Sequence, residues 1–238
     1  MRDYKREAKV RATWIAQTLT KSGLDGVVFG SSGGKDSALV GILCKIACTN
    51  TLGVIMPCGG HASDVSDALL LGKKFDIEHI VVDVTATRDS LVQAIGSGDM
   101  NIAPRLRMAT LYTIAATRNS LVAGTSNRSE IYLGYTTKWG DAACDFNPIA
   151  DLTATEVMEF LKALGAPEIF YTKSPSAGFY EGQTDEDELG FSYNELDNFL
   201  LHGVIGDNIN LIQSRHEATK HKRNGVLIYE PAPNKHHQ

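Results

Sequence analysis

The sequence predicts a three-layer α/β protein: a mostly parallel sheet flanked by helices, with an irregular C-terminal part. Three observations predict it. Short apolar runs rich in β-branched residues alternate with helical segments through the first half of the chain. The stretch Ala38 to Cys48 is apolar on nearly every face, so it belongs between a sheet and another layer rather than at a water surface. Finally, 238 residues of which 43% are hydrophobic can build one substantial core. A single domain over residues 1–238 is expected, with 218–238 as a tail on the surface or on a partner.

Taken in order, Arg2 to Lys21 has helical spacing, and Gly23 and Gly26 interrupt it before the buried strand Val27-Val28-Phe29. The helix Ala38 to Cys48 and a second strand, Leu52 to Met56, follow. Pro57 to His61 makes a turn, Ser63 caps a helix to about Phe75, and Ile77 to Val82 is a third strand-like run. Asn101 to Arg118 is a long helical segment with Pro104 in its first turn, and Leu121-Val122-Ala123 reads as a fourth strand ending at Gly124-Thr125. Beyond Glu130 the pattern weakens. Gly134 to Pro148 reads as an ordered loop, Thr153 to Leu164 as a helix, and Tyr171 to Gln183 as a second long loop.

Composition excludes several classes. Against 28 Asp and Glu there are 23 Lys and Arg, a net charge of -5, which argues against a surface for nucleic acid. No run reaches the ~18 apolar residues of a membrane span, and Met1 to Arg11 lacks the apolar core of a signal peptide, so a soluble cytoplasmic protein with no membrane partner is expected. Cys44, Cys48, Cys58 and Cys144 lack paired C-x-x-C spacing and read as reduced thiols. Asn127-Arg128-Ser129 matches a glycosylation acceptor, but no secretory context accompanies it.

The chemistry concentrates between the first strand and its helix. Gly30-Ser31-Ser32-Gly33-Gly34-Lys35-Asp36-Ser37 joins a strand to a helix N-terminus, where glycines let the backbone approach a ligand and unpaired N–H groups attract an anion. It is not a Walker A loop, because Phe29 stands where the first glycine is required and Asp36 follows Lys35 where Ser or Thr would hold magnesium. It also lacks the glycine spacing of the dinucleotide fingerprint. What remains, Ser-Gly-Gly-x-Asp-Ser from Ser32 to Ser37, matches the pyrophosphatase loop of enzymes that cleave ATP between its α and β phosphates. In such a loop Ser32, Ser37 and backbone amides grip pyrophosphate while Asp36 binds Mg²⁺.

Six strings in order resemble the ammonia-dependent NAD synthetase family over nearly the whole chain: Ser32 to Ser37, Asn101 to Met108, Gly124-Thr125 with Glu130, Gly134 to Asp145, Pro175-Ser176-Ala177, and Gln183 to Gly190. The resemblance implies an adenine-nucleotide alpha-hydrolase-like, Rossmann-like fold. It implies a ligase that uses ATP as co-substrate to adenylate the nicotinate carboxylate of deamido-NAD, after which ammonia displaces AMP. By the same resemblance Gly30 to Ser37, Thr125 and Ser176 touch ATP, and Asp36 and Glu130 hold Mg²⁺. Arg105, Lys138, Asp145, His221 and Lys222 are assigned to deamido-NAD, the last two across the interface of a homodimer. Asp141 is our candidate to take a proton from ammonium. The almost uniformly apolar helix Ile102 to Ala116 could supply the dimer contact.

Two departures stand out. Ala154 occupies the place of a lysine that the family usually sets on the ATP phosphates, and Ala142-Ala143 replaces the usual Gly-Gly of the substrate loop. Lys173 or Lys35 could compensate for the first. The departures leave open a nucleotide-binding module that has lost catalysis, and the loop is also compatible with a tRNA-modifying enzyme, although charge and cysteine spacing speak against that. About 25 residues before the first strand are too few for a glutaminase, since a folded domain needs ~50, so free ammonia, or ammonia delivered by another protein, is the expected donor.

Overall fold

A computed structural model describes residues 2–59, 62–172 and 185–229. In chain order the elements are α1 (Tyr4–Ser22), β1 (Gly26–Gly30), α2 (Lys35–Ala47), β2 (Thr51–Ile55), α3 (Ala62–Phe75), β3 (Glu78–Val81), α4 (Thr85–Ile95), α5 (Ile102–Thr117) and β4 (Ser120–Ala123). There follow α6 (Arg128–Leu133), α7 (Ala154–Ala163), α8 (Ile169–Thr172), α9 (Asp185–Leu189), α10 (Tyr193–His202), α11 (Ile209–Ala218) and α12 (Lys220–Arg223). The expected parallel sheet is present, with its four strands in the order β3-β2-β1-β4.

Strand alternation builds two cores from one sheet. Val27 and Phe29 of β1 face one side and pack with Ile15 and Leu19 of α1, Leu39 and Leu43 of α2, and Val157, Phe160 and Leu161 of α7. Val28 points the other way and joins Leu52, Val54, Val122 and the α5 residues Leu111 and Ile114. Close packing is strict at α2, where a Cβ on Gly41 would meet the Phe29 ring. A third, smaller core (Leu133, Ala154, Leu189, Phe191, Leu196, Ile212) assembles the C-terminal helices against α6 and α7.

Several expectations are corrected at their edges. The helix expected from Ala38 begins at Lys35, because Gly34 is its N-cap, so Lys35, Asp36 and Ser37 form its first turn. Ser63 lies within α3, which starts at Ala62, and not before it. Tyr171 and Thr172 belong to α8 rather than to the second long loop, the rest of which lies outside the described residues. Helix α4 had not been expected; none of its residues is buried, and its apolar side chains Leu91 and Ile95 are exposed rather than part of a core. All four cysteines are free, and Cys44 is fully buried as a small core residue.

The topology fixes where a ligand can sit. From β1 the chain steps outward to β2 and β3, then returns to place β4 on the other side of β1. The strand order reverses between β1 and β4, and in open α/β sheets the crevice beyond the C-terminal ends of such a pair receives ligands. The loop 30–37 leaves β1 there, and 124–130 leaves β4 beside it. No helix among the described residues is long and apolar enough to cross a membrane.

Candidate active site

The loop after β1 is held in a shape that leaves donors unused. Ser31 N–H bonds the Val54 carbonyl (2.9 Å), extending the β1–β2 ladder by one residue. Gly33 then turns at φ +79, and a Cβ there would collide with the Asp64 carbonyl oxygen. Helix α2 has no side-chain cap, so its first N–H groups are available to an anion. Ser32 and Ser37 bring their hydroxyls within 3.1 Å of each other. Ser37 Oγ also accepts from Ser32 N (3.3 Å) and donates to the Gly34 carbonyl (3.0 Å). Two hydroxyls and an uncapped helix start thus converge, as the sequence motif requires.

Beside them stands a buried electrostatic cluster. Lys35 is 7% exposed; its Nζ donates to Asp36 Oδ2 at 2.6 Å and lies 5.6 Å from the Tyr193 ring centre. The other Asp36 oxygen accepts from Asn127 Nδ2 (3.0 Å). Asn127 in turn caps α6: its Oδ1 accepts from Glu130 N (3.0 Å), while its own N–H donates to Glu130 Oε2 (3.0 Å). One buried asparagine therefore joins both carboxylates that the sequence proposes for a metal. Burial, followed by the nearby Asp36 charge, pushes the Glu130 carboxyl well above its ordinary range. Burial also pulls on Lys35, but Asp36, Glu130 and Asp185 outweigh it and keep the ammonium charged.

These residues fit a hard divalent cation. Asp36 and Glu130 offer oxygen donors, and their mutual repulsion is what such an ion would relieve. Among the described residues no group of three or more His, Cys, Asp or Glu side chains gathers as a metal site, so water and substrate oxygens would complete the shell.

The loop 134–145 is tied to the start of α5 and to α12. Asp141 Oδ1 accepts from Thr137 N (2.7 Å), and Thr137 Oγ1 donates to Asn101 at the start of α5 (2.9 Å). Asp141 is exposed as a residue, yet its carboxyl is crowded, and this desolvation raises its pKa against the pull of the Thr137 N–H, Lys222 and Arg107. Lys222 Nζ donates to the Gly134 and Thr136 carbonyls (2.9 and 2.7 Å), and Lys138 Nζ donates to the His221 carbonyl (2.7 Å). Lys138, His221 and Lys222 are thus gathered within this one chain. Asp145 is bonded by Val122 N (2.7 Å) and Tyr112 Oη (3.3 Å), so its carboxylate secures the end of β4.

The two arginines of α5 serve different partners, as their spacing implies. Arg107 Nε donates to the Met56 carbonyl (3.0 Å), whereas Arg105 is exposed and lines a cavity of about 370 Å³ with Leu91, Ile95 and Ile102. Thr125 is half-buried just past β4. Ala154 is wholly buried in the third core, and Lys35 is a buried cation within the loop 30–37 itself. Lys173 and Ser176 lie outside the described residues.

Sequence reasoning missed Asn127, Tyr193 and Asp185. The pattern Asn127-x-x-Glu130 before a helix is a capping signal that could have found the first. Asp185 opens α9, and it is buried and accepts from the Tyr193 and Tyr135 hydroxyls (3.3 and 3.4 Å). An Asn127→Ala protein should lose about 1–2 kcal/mol in urea denaturation, the cost of an N-cap, with the Asp36 oxygen left short of a donor.

Comparison with known proteins gives one consistent result. The model of the family described as NAD synthase matches residues 7–225. The NH(3)-dependent NAD(+) synthetase of Carboxydothermus hydrogenoformans is 41% identical over 88% of this chain and 91% of its own. Among solved structures, the NMN synthetase of Francisella tularensis superposes with a TM-score of 0.91 at 33% identity, covering 98% of this chain and 100% of that one. The NH3-dependent NAD synthetase of Campylobacter jejuni gives 0.81 at 32%, covering 97% and 100%. The tRNA-modifying alternative is not favoured by these matches.

Proposed function

Because the chain belongs to the NAD synthase family and is a ligase for ammonia-dependent NAD synthesis, we infer that the loop 30–37 holds the β and γ phosphates of ATP while a nicotinate carboxylate attacks the α-phosphorus. The observation that carries this is the convergence of Ser32 and Ser37 on an uncapped helix start, next to Asp36 and Glu130. A carboxylate resists nucleophiles until adenylation gives it a leaving group. The carboxylate oxygen bonds to phosphorus, pyrophosphate departs toward the loop, and ammonia then displaces AMP from the mixed anhydride.

Asp36 and Glu130 would hold Mg²⁺, which when bound neutralises charge on the phosphate oxygens. Lys35 keeps the Asp36 carboxylate oriented, and Asn127 keeps Asp36 and Glu130 in register. By the family resemblance Thr125 and Ser176 contact ATP, and Lys173 is a candidate catalytic lysine. Arg105, Lys138, Asp145, His221 and Lys222 face the nicotinate substrate. The half-exposed α5, with Leu91, Ile95 and Met100 exposed nearby, supports a homodimer through this face. The working compartment is the cytoplasm. Incubation with ATP, Mg²⁺, ammonium and deamido-NAD should yield NAD, AMP and pyrophosphate in equal amounts; ADP and phosphate would contradict the reading.

A second substrate is favoured by one observation, the nearer superposition on an NMN synthetase than on the Campylobacter NAD synthetase. The chemistry would be the same with nicotinate mononucleotide in place of the dinucleotide. Offering both substrates at equal concentration separates the two: NMN formed faster than NAD carries the mononucleotide reading.

Asp141 accepts the proton of ammonium and must be ionised to do so. Desolvation raises its carboxyl above its ordinary value. Turnover should therefore fall as pH drops through that raised value. Asp141→Asn should remove this acid limb and slow NAD formation about 10²-fold, while ATP–pyrophosphate exchange, which reports adenylation alone, continues. An unaltered limb in the variant would discard the assignment.

A further inference from the structure

The edge strand β3 sends one ring back to the phosphate loop. His79 Nδ1 lies 3.0 Å from the Ile77 carbonyl oxygen, which can only accept, so Nδ1 carries the ring proton. Nε2 is then an acceptor, and it lies 3.0 Å from Ser31 Oγ. The Ser31 hydroxyl must therefore donate to the ring. Burial disfavours protonation of His79 and keeps it in this neutral form.

The space for this contact is built. Gly53 in β2 and Gly72 in α3 flank the imidazole, and a Cβ on either would overlap ring atoms. Phe29 of β1 meets the ring edge-on, with centroids 6.1 Å apart. Ser31 itself is 2% exposed and gives its N–H to Val54. The first loop residue is thus tied through its main chain to β2 and through its side chain to β3, immediately before Ser32 and Gly33.

We propose that His79 is a positioning residue for ATP: by accepting from Ser31 it anchors the root of the loop 30–37 and so presets the donors that receive the phosphates. The inference rests on the reading of that loop as the ATP phosphate site. An anchored loop loses less freedom when the nucleotide binds, and affinity gains what the ordering would have cost. Nothing in β3's own sequence pattern announces this, because His79 acts across two strands.

The test is calorimetric titration of the full chain with Mg-ATP for wild type, His79→Phe, His79→Gln, Ser31→Ala and the double variant His79→Phe/Ser31→Ala. Losing one buried hydrogen bond should weaken ATP about three- to tenfold in His79→Phe and in Ser31→Ala. The double variant should be no weaker than either single one, because both remove the same bond. His79→Gln, whose amide oxygen can accept from Ser31, should recover most of the affinity, and affinity for deamido-NAD should stay at the wild-type value throughout. Should His79→Phe fold poorly, Ser31→Ala removes only a hydroxyl and, compared with His79→Gln, decides the matter. Wild-type ATP affinity in Ser31→Ala, or single losses that multiply in the double variant, would overturn the proposal while leaving the loop's function intact. A wild-type chain that bound no Mg-ATP would overturn both.

Discussion

NAD formation by Asp36→Asn is expected to fall by two to three orders of magnitude in kcat/KM, the scale of removing one preorganised electrostatic group. The substitution keeps the side chain's shape and removes its charge. Two consequences follow from the geometry. Lys35, bonded to Asp36 at 2.6 Å and nearly sealed from water, loses its closest counter-charge. The pair Asp36 and Glu130 is also reduced to one carboxylate, so the phosphate oxygens lose the neutralising cation that both would hold. Breaking a buried pair from one side costs about 3–5 kcal/mol, so urea denaturation should report a destabilised protein alongside the kinetic loss. Steady-state rates within twofold of wild type would contradict both roles.

Gly33→Ala is expected to weaken Mg-ATP about a hundredfold, measured by the same titration. At φ +79 an alanine is strained by about 1–2 kcal/mol, and its Cβ would also overlap the Asp64 carbonyl oxygen, a backbone atom that cannot swing aside. The loop must therefore change path, and the Ser32 and Ser37 hydroxyls part. Gly165→Ala is the control. It has φ +70 but open space around it, so it pays the backbone strain in stability and leaves ATP affinity unchanged.

What could be read from the sequence was what local spacing encodes. Ser32-Gly33-Gly34-Lys35-Asp36-Ser37 announces itself because glycine conformation and a helix start are local properties, and the strand runs from Val27 and Leu52 do so because buried parallel strands are continuously apolar. The long-range pairings were not legible. Nothing near Lys35 says that Tyr193 will lie beside its ammonium, and nothing near Asp185 says that it will receive two tyrosine hydroxyls. Helix α4 escaped because it buries nothing, and Asn127 because its capping pattern overlapped a string read for another purpose. That Ala154 would be fully buried in the C-terminal cluster was equally invisible, because its neighbours there come from α6, α9, α10 and α11.

The account turns on one bond: the nicotinate carboxylate becomes attached to the α-phosphorus of ATP before nitrogen arrives. Deamido-NAD labelled with ¹⁸O in both carboxylate oxygens, incubated with ATP, Mg²⁺, ammonium and the purified chain, tests it by mass spectrometry of the products. One labelled oxygen should appear in AMP, one should stay in the amide of NAD, and pyrophosphate should carry none. Unlabelled AMP beside labelled NAD, or label in pyrophosphate, would contradict the mechanism.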